Sequence, residues 1–378
     1  MATARELPPV TALSLVPTHD VEQMLARAES LVAAHRYADA SVELASLWED
    51  VRDDPRLALR QRLTLAWAVL YLGELGEAER LLEHAETLVR SPHFDAADRA
   101  EVLYRQGCLA LKQNRIADAS ALLTRALDSN SRAPQPRTHL ASRTHEWRSR
   151  CHLRTRDWDA ARRDVDRAIE LALEAGDTEA HAHAVFQASI VAERQKQWLL
   201  ARCYAEQALG LYTGLGNALC TARVLNNLGG IDFLLGDVAA AEEALLGAID
   251  SASEAASDAD LAQAVNSLAQ VYLHTGRPTE ARARALRALE LLEHRPDFLD
   301  ERGNAELVVA QSLAAEGEPA QAAAWLARAD ETYGRLSSPS HLAVVLLAKG
   351  DLARAAGDSD AAAHLYRRAA ELLQDIHF

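Results

Sequence analysis

Residues 221–250 read TARVLNNLGGIDFLLGDVAAAEEALLGAID and contain two short amphipathic segments separated by a Gly-Asp pair. Glycine and aspartate favour a turn, so this stretch predicts two helices joined as a hairpin. Gly229 in the first segment, and Ala241 and Ala248 in the second, are small residues placed where the two helices would touch. Side chains of so little bulk let helices approach closely. The rest of the chain repeats this plan.

A repeat of about 40 residues runs along the chain. The first small residue of each predicted second helix is an alanine, and successive alanines are 38 to 42 residues apart. Most are followed seven residues later by another alanine on the same helix face. The nine anchors are Ala40, Ala78, Ala119, Ala161, Ala201, Ala241, Ala281, Ala322 and Ala362. We therefore expect nine helical hairpins over residues 20–374, a flexible lead at 1–19 and a short tail at 375–378.

The composition restricts the class of protein. Of the 378 residues, 49% are hydrophobic, 25% charged and only 5% aromatic, which is typical of a soluble chain of closely packed helices. The formal net charge of -15 disfavours direct nucleic-acid binding, which requires basic side chains. The four cysteines form no CxxC pair, so we expect neither a zinc site nor a disulfide framework. No apolar run or signal peptide is found, which predicts a cytoplasmic protein without membrane contact.

The spacing of small residues resembles the tetratricopeptide repeat. That family has a small residue at its eighth position and alanines at its twentieth and twenty-seventh, and Asp157-Trp158 and Gln197-Trp198 resemble its turn between helices. The period is longer than the usual ~34 residues, which resembles the subclass of kinesin light chains and bacterial peptide-sensing regulators. The resemblance implies an all-α protein, a right-handed α-solenoid of about nine repeats.

Three features depart from this pattern. Arg148 stands where the family has a large apolar residue, so we expect the first helix of repeat four to be rotated or shifted. The stretch SNSRAPQPRTHLA at 129–141 contains two prolines in a polar run and is interpreted as a hinge. The last helix lacks a polar cap, which predicts a homodimer through the C-terminal repeat or cover by another segment. Its apolar face is formed by Leu365, Ala369 and Leu372.

In the family, first helices line the concave surface, and this implies where a partner binds. Asn226, Asn227 and Asn266 fall on such positions, although asparagine costs about 0.5–0.7 kcal/mol in a helix relative to alanine. A row of carboxamides, each both donor and acceptor, could hold an extended peptide backbone. The alternative is that these amides bond within the helix layer or face water. The candidate binding residues are Arg143, Trp147, Arg150, Arg154, His183, Gln187, Arg194, Arg223, Asn226, Asn227, Asn266, Gln270, Asn304 and Gln311.

An arginine stripe is the second candidate feature. Residues 132–167 contain ten arginines and five acidic residues within an acidic protein. Arg143, Arg150 and Arg154 share one helix face with Trp147. Guanidinium groups bind carboxylates or phosphates through paired hydrogen bonds, and an indole can serve as an apolar or cation-stacking platform. The alternative is an exposed face that pairs with its acidic neighbours Glu146, Asp157, Asp159, Asp164 and Asp166.

No catalytic or nucleotide-binding motif is found, so we expect no enzyme and no cofactor. His181 and His183 form an HxH pair without a third ligand, and no metal is expected. The first hypothesis is a scaffold that binds an extended peptide or flexible tail, either acidic or with a free C-terminal carboxylate. The alternative is the sensor half of a bacterial transcriptional regulator whose helix-turn-helix is absent from this chain. A lesser alternative is modulation of response-regulator phosphorylation.

Overall fold

The computed structural model describes residues 18–295, 298–336 and 338–374, and all regular structure in these residues is α-helical. The predicted tail at 375–378 and residues 1–17 of the predicted lead lie outside the described residues, and the first helix begins at Thr18. The helices are α1 (Thr18–Ala33), α2 (Tyr37–Ser46), α3 (Trp48–Val51), α4 (Pro55–Tyr71), α5 (Leu75–Leu88), α6 (Ala96–Lys112), α7 (Ile116–Ser131), α8 (Thr138–Arg154), α9 (Trp158–Ala175), α10 (Thr178–Arg194), α11 (Trp198–Gly214), α12 (Ala218–Leu235), α13 (Val238–Glu254), α14 (Asp258–His274), α15 (Pro278–Leu291), α16 (Leu299–Ala315), α17 (Pro319–Leu336), α18 (Pro339–Ala355) and α19 (Ser359–Gln374).

Successive helices form nine hairpins, from α1 with α2 to α18 with α19, and α3 is a single extra turn after the first of them. Each of the nine anchor alanines lies in a second helix and is buried. The predicted all-α solenoid of helical repeats is therefore confirmed. Its core is the layer between first and second helices, where the small residues lie.

The glycines at the helix contacts show why small residues recur there. A Cβ atom added to Gly229 of α12 would lie 2.5 Å from the Cγ atom of Leu245 in α13. At Gly107 of α6 the same atom would lie 2.7 Å from the Cγ atom of Leu123 in α7. Real Cβ atoms do not approach a neighbour so closely, because packed interiors leave no room for overlap. The leucine of the second helix therefore fills the space that the glycine leaves.

The turn between α12 and α13 is set by two residues. Gly236 has φ +85°, a left-handed conformation that ends α12 and that glycine adopts without steric cost. Asp237 follows, and its carboxylate accepts a hydrogen bond of 3.1 Å from the backbone N–H of Ala240. This is an N-cap, which begins α13. The Gly-Asp pair thus ends one helix and starts the next.

The chain divides into two compact units, Met1–Ala184 and Val185–Phe378. The division falls within α10 and not at the predicted hinge of 129–141. In that stretch, residues 132–137 connect α7 to α8, and the Asn130 side chain brackets the connection. It donates to the Arg137 carbonyl oxygen at 3.1 Å and accepts from the Arg137 N–H at 3.0 Å. Hinge motion stays a prediction.

The apolar face of the C-terminal helix α19 is packed differently from the sequence-based prediction. Leu365, Ala369 and Leu372 do not form an uncapped outer face, because they pack with Ala343 and Leu346 of α18. The stripe is the inner side of the last hairpin, which removes the reason for expecting an uncapped face, and a homodimer stays a prediction. The exposed residues of the helix are mostly polar and serve as a cap: Ser359, Asp360, Ala363, His364, Arg367, Arg368, Ala370 and Glu371.

Candidate functional site

The fourteen predicted binding residues fall in both compact units, and each unit is described by itself. The first unit contains Arg143, Trp147, Arg150, Arg154 and His183, and the second contains Gln187, Arg194, Arg223, Asn226, Asn227, Asn266, Gln270, Asn304 and Gln311. Seven of the second set lie on α10, α12 and α14, the first helices of three successive repeats. We call Gln187, Asn226, Asn227 and Asn266 the amide row.

Asn227 of the amide row holds two helices together. Its amide oxygen accepts a hydrogen bond of 3.0 Å from the Ser189 hydroxyl of α10. Its amide nitrogen donates to a carboxylate oxygen of Glu193, also on α10, at 2.8 Å. Both polar atoms are thus used between repeats. For this residue the structure agrees with the alternative interpretation, bonding within the helix layer.

The other three members of the amide row are not satisfied by the fold. Gln187 and Asn266 are only 2% and 5% exposed. In the described part of the chain no hydrogen-bond partner is found for Gln187 Nε2, Asn226 Oδ1 or Asn266 Oδ1, and all three atoms are buried. An unpaired buried polar group costs roughly 1–3 kcal/mol. Rotation about the terminal amide torsion is soft, so each amide could turn toward a partner at little cost. Folding alone therefore does not explain these amides.

Two further predicted residues of the second unit serve to connect helices. Arg223 of α12 donates to both carboxylate oxygens of Asp260 in α14, at 2.7 and 3.2 Å. Ser257, which caps the start of α14, also donates to Asp260 at 2.6 Å. Asn304 of α16 accepts a hydrogen bond of 2.6 Å from the Tyr333 hydroxyl. These groups are engaged in the fold, which makes them weaker candidates for ligand binding.

The remaining second-unit residues have different surroundings. Arg194 and Gln270 are exposed. Gln311 lines a cavity of about 580 Å³ that is bounded mainly by apolar side chains, including Leu326 and Leu352. The structure therefore places Gln311 at an apolar recess, whereas the amide row is polar.

In the first unit, aromatic rings and cations from three first helices meet. Trp67 of α4 packs against Trp147 of α8 with ring centroids 5.8 Å apart, and against Tyr104 of α6 at 6.1 Å. The Arg105 guanidinium lies 4.4 Å above the Trp67 ring, and that of Arg150 lies 4.7 Å from the Trp147 ring. We call these residues, with Tyr71 and Arg143, the aromatic–arginine cluster.

The predicted arginine stripe is only partly available to a ligand. Arg150 forms an ion pair of 2.6 Å with Glu146, as the alternative interpretation expects. Exposed Arg154 donates to the Asn114 side chain at 2.5 Å. Trp147 is 4% exposed, so the platform prediction is wrong: the indole is packed under Arg150 and is not open to a stacking partner. His183 lies 3.6 Å from Glu179, one turn away.

Arg143 is different from the other arginines of the stripe. Neither a hydrogen bond nor an ion pair is found for its guanidinium within residues 18–295, 298–336 and 338–374. The Tyr104 oxygen raises the pKa of Arg143, burial lowers it, and the carboxylates of Glu179 and Glu101 raise it, with a net increase. Tyr104 is 1% exposed, and its buried hydroxyl also lacks a hydrogen-bond partner among the described residues. The weakly polar Cys108 thiol, one turn away on the same helix, interacts with that hydroxyl, and this interaction lowers the pKa of the thiol against the larger effect of burial.

Repeats two and three also contribute to this cluster, and none of their residues was among those predicted from the sequence. Counted back from the anchor alanines, Trp67, Tyr71 and Arg105 stand at the positions of the predicted residues Arg150, Arg154 and Trp147 of repeat four, and Tyr104 stands at that of Glu146. Counting back from the anchor alanines of repeats two and three to the same first-helix positions would have identified the first three of these residues from the sequence.

An ionic contact replaces the expected apolar contact in repeat four. Arg148 of α8 donates to both carboxylate oxygens of buried Asp164 in α9, at 2.8 and 2.7 Å. His145 Nδ1 lies 2.8 Å from the same carboxylate, and His152 Nε2 lies 3.4 Å from it. Burial raises the pKa of Asp164, but these hydrogen bonds outweigh it and hold that pKa far below its ordinary value. Ser149 still occupies the buried contact position, so the helix keeps the register of its neighbours.

Other candidate chemistry is weak. Burial raises the pKa of the Cys151 thiol to about 11 and also raises that of Cys108, so neither is a ready nucleophile. Among the described residues no group of three or more His, Cys, Asp or Glu side chains could hold a metal ion. Nor does the described part of the chain contain a helix long and apolar enough to cross a membrane.

Comparison with known proteins identifies the repeat. Two family profiles match, both described as tetratricopeptide repeat, one over residues 104–180 and one over 220–294. No sequence match is found among the curated proteins.

Solved structures share the fold at low sequence identity. A Rap protein complexed with competence and sporulation factor is 16% identical, with a TM-score of 0.62 over 95% of this chain and 99% of that one. Aspartyl phosphate phosphatase F from Bacillus subtilis is 13% identical, with a TM-score of 0.62 over 98% and 97%. NprR in complex with its cognate peptide NprX is 14% identical, with a TM-score of 0.57 over 94% and 99%.

Proposed function

Because the chain is a tetratricopeptide-repeat protein, we propose that it is a binding scaffold that holds an extended peptide or flexible tail against the amide row. The observation that carries this proposal is the set of buried, unpartnered amide atoms of Gln187, Asn226 and Asn266. The similar structure of NprR contains its cognate peptide NprX. That likeness supports a peptide as the partner, and it supports binding in preference to catalysis.

The chemistry of an amide suits a peptide backbone. An extended chain presents N–H and C=O groups along its length, and a carboxamide can pair with either. Asn226 and Asn266 occupy equivalent positions in neighbouring repeats, so they would contact successive parts of one segment. Since the backbone is common to all sequences, affinity would come from the amide row. Preference for an acidic segment or free C-terminal carboxylate would come from cationic side chains.

The test is affinity selection of short random peptides by the intact chain, followed by titration of the selected peptide. We expect Asn226→Ala with Asn266→Ala to weaken binding at least about tenfold, since two backbone-pairing amides are lost. Gln207→Ala is a matched control, because this residue is exposed on second helix α11. Equal affinities for the wild type and a correctly folded double variant would refute the proposal.

A regulatory role is the second candidate. The similarity to NprR and to a Rap protein favours a sensor whose bound peptide changes contact with another protein. That other protein would be a DNA-binding subunit or a response regulator, in line with the similarity to aspartyl phosphate phosphatase F. Mass spectrometry of proteins retained by the intact chain, with and without the selected peptide, tests this role. Retention of the same proteins in both cases would argue for a constitutive scaffold.

A further inference from the structure

The cavity of about 580 Å³ in the second unit is lined by side chains of α14, α16, α17 and α18. Leu273 of α14, Leu326 of α17 and Leu352 of α18 form large parts of its walls. Ala314 of α16 and Ala355 of α18 line it from exposed positions, where longer side chains would fill the space. We call this cavity the apolar recess. Its size and lining are those of a ligand pocket, since such pockets measure roughly 300–1,000 Å³ and are mainly apolar with a few polar groups.

The charge in the lining of the apolar recess is negative. Its lining residues in the described part of the chain include Asp351 but neither arginine nor lysine. One carboxylate oxygen of Asp351 accepts a hydrogen bond of 2.7 Å from the Tyr366 hydroxyl. Arg354 lies 3.4 Å from the same oxygen, but its side chain is 71% exposed, and solvent screens so exposed a pair. For the other carboxylate oxygen no hydrogen-bond partner is found among the described residues.

Two further polar side chains line the apolar recess, and both offer acceptors. His274 Nδ1 lies 2.8 Å from the Gln270 carbonyl oxygen. A carbonyl only accepts hydrogen bonds, so Nδ1 carries the proton, and Nε2 of the neutral ring is left as an acceptor. The Gln311 amide forms no hydrogen bond within the residues that the structure describes, and its oxygen is a further acceptor.

We propose that the apolar recess binds a primary ammonium group that carries an apolar body. An ammonium has three N–H donors and no acceptor, which suits a lining whose polar side chains are Asp351, His274 and Gln311. The Asp351 carboxylate supplies the opposite charge, and the net charge of -15 favours the approach of a cation. The apolar body would lie on the leucine and alanine walls, where burial of each methylene adds affinity.

An alkylamine and the side chain of a lysine share this chemistry. The proposal uses none of the side chains of the amide row, so it does not depend on peptide binding there.

Hexylamine is the probe, with hexanol as its uncharged analogue and hexanoate as its anionic one. Each is titrated calorimetrically into the intact chain at pH 7 and constant ionic strength, where an alkylamine is protonated. We expect saturable binding of hexylamine, at least about tenfold tighter than that of hexanol, because a charge-assisted hydrogen bond is gained. Hexanoate should bind more weakly than hexanol, since Asp351 repels it. Butylamine should bind roughly tenfold more weakly than hexylamine, because it buries two fewer methylenes.

Asp351→Asn keeps the shape of the side chain and removes its charge. We expect this variant to bind hexylamine at least about tenfold more weakly than the wild type and to bind hexanol unchanged. Asp360→Asn is the matched control, because this acid is exposed on α19 and does not line the cavity. It should leave both affinities unchanged.

Ala314→Leu narrows the apolar recess from an exposed position and should weaken hexylamine and hexanol alike. Circular dichroism melting of each variant checks that it is folded. Absence of saturable hexylamine binding, equal affinities of the wild type for hexylamine and hexanol, or undiminished hexylamine affinity in both Asp351→Asn and Ala314→Leu would overturn the proposal.

Nα-acetyl-lysinamide distinguishes the two sources of the ammonium group, because its side chain has the four-carbon length of butylamine. Binding tighter than that of butylamine and weakened by Asp351→Asn would support the site and assign it to a lysine of a partner chain. Binding no tighter than that of butylamine, with hexylamine binding as expected, would support the site and assign it to a small organic amine.

Discussion

Removal of the Asp164 carboxylate should destabilise repeat four more than any neighbouring surface change. The Asp164 side chain is 7% exposed, and Arg148, His145 and His152 all point to it. Asp164→Ala would leave the Arg148 guanidinium, itself only 20% exposed, without its ionic partner. Breaking a buried pair costs roughly 3–5 kcal/mol. We expect about 3 kcal/mol, the lower end of that range, because Arg148 retains some contact with water.

Native-state hydrogen exchange is the appropriate assay, since a repeat array loses structure locally. Protection of amides in α8 and α9 should fall, while α16 to α19 stay unchanged. Asp166→Ala is the matched control: its pair with Arg162 spans 3.0 Å but the Asp166 side chain is 49% exposed, so we expect about 1 kcal/mol or less. A loss for Asp164→Ala no larger than for Asp166→Ala would refute the view that the buried carboxylate holds α8 on α9.

The same substitution has a predicted pH dependence. The folded-state pKa of Asp164 lies far below its ordinary value, so its contribution is fully present above the unfolded pKa of about 3.9. That contribution is lost as the pH falls from there through the folded pKa. The stability difference between wild type and Asp164→Ala should therefore be constant near neutral pH and shrink below about pH 4. A difference that grows on acidification would contradict this sign.

Four other substitutions test the packing and the amide row. Gly229→Ala should destabilise α12 and α13 by about 1–3 kcal/mol, because its Cβ would overlap Leu245. Gly230→Ala has open space around its Cβ and should stabilise the protein by about 0.5–1 kcal/mol. Urea titration of both variants checks these values, and equal effects would contradict them. Asn266→Leu should raise the melting temperature, because it removes an unsatisfied buried amide, yet weaken peptide binding, and parallel losses of both would show that the amide supports the fold. Asn227→Ala should lower hydrogen-exchange protection in α10 and α12 by about 1–2 kcal/mol, and unchanged protection would count against its linking role.

The candidate site shows how far sequence patterns reach. Asn226 and Asn227 are adjacent residues of the same type, and on sequence grounds both are equally suited to peptide binding. Only their surroundings distinguish them, because Asn227 reaches the neighbouring helix and bonds Glu193 there, while the Asn226 oxygen reaches no partner in the described residues. The arginine stripe divides in the same way: Arg150 forms an ion pair with Glu146, whereas no ion pair is found for Arg143 within the described residues.

The amino-acid sequence alone determined the helical hairpins, their period and the positions of the anchors. These features are local: the small residues, the leucines that fill the space beside them and the Gly-Asp turn all lie within one repeat. The tertiary structure decided which polar side chains form hydrogen bonds or ion pairs between helices and which do not. That outcome depends on contacts between repeats, such as Asn227 with Glu193, 34 residues apart, and Arg223 with Asp260, 37 apart. Such contacts require the register of one hairpin on the next, which the periodicity within a single hairpin does not encode.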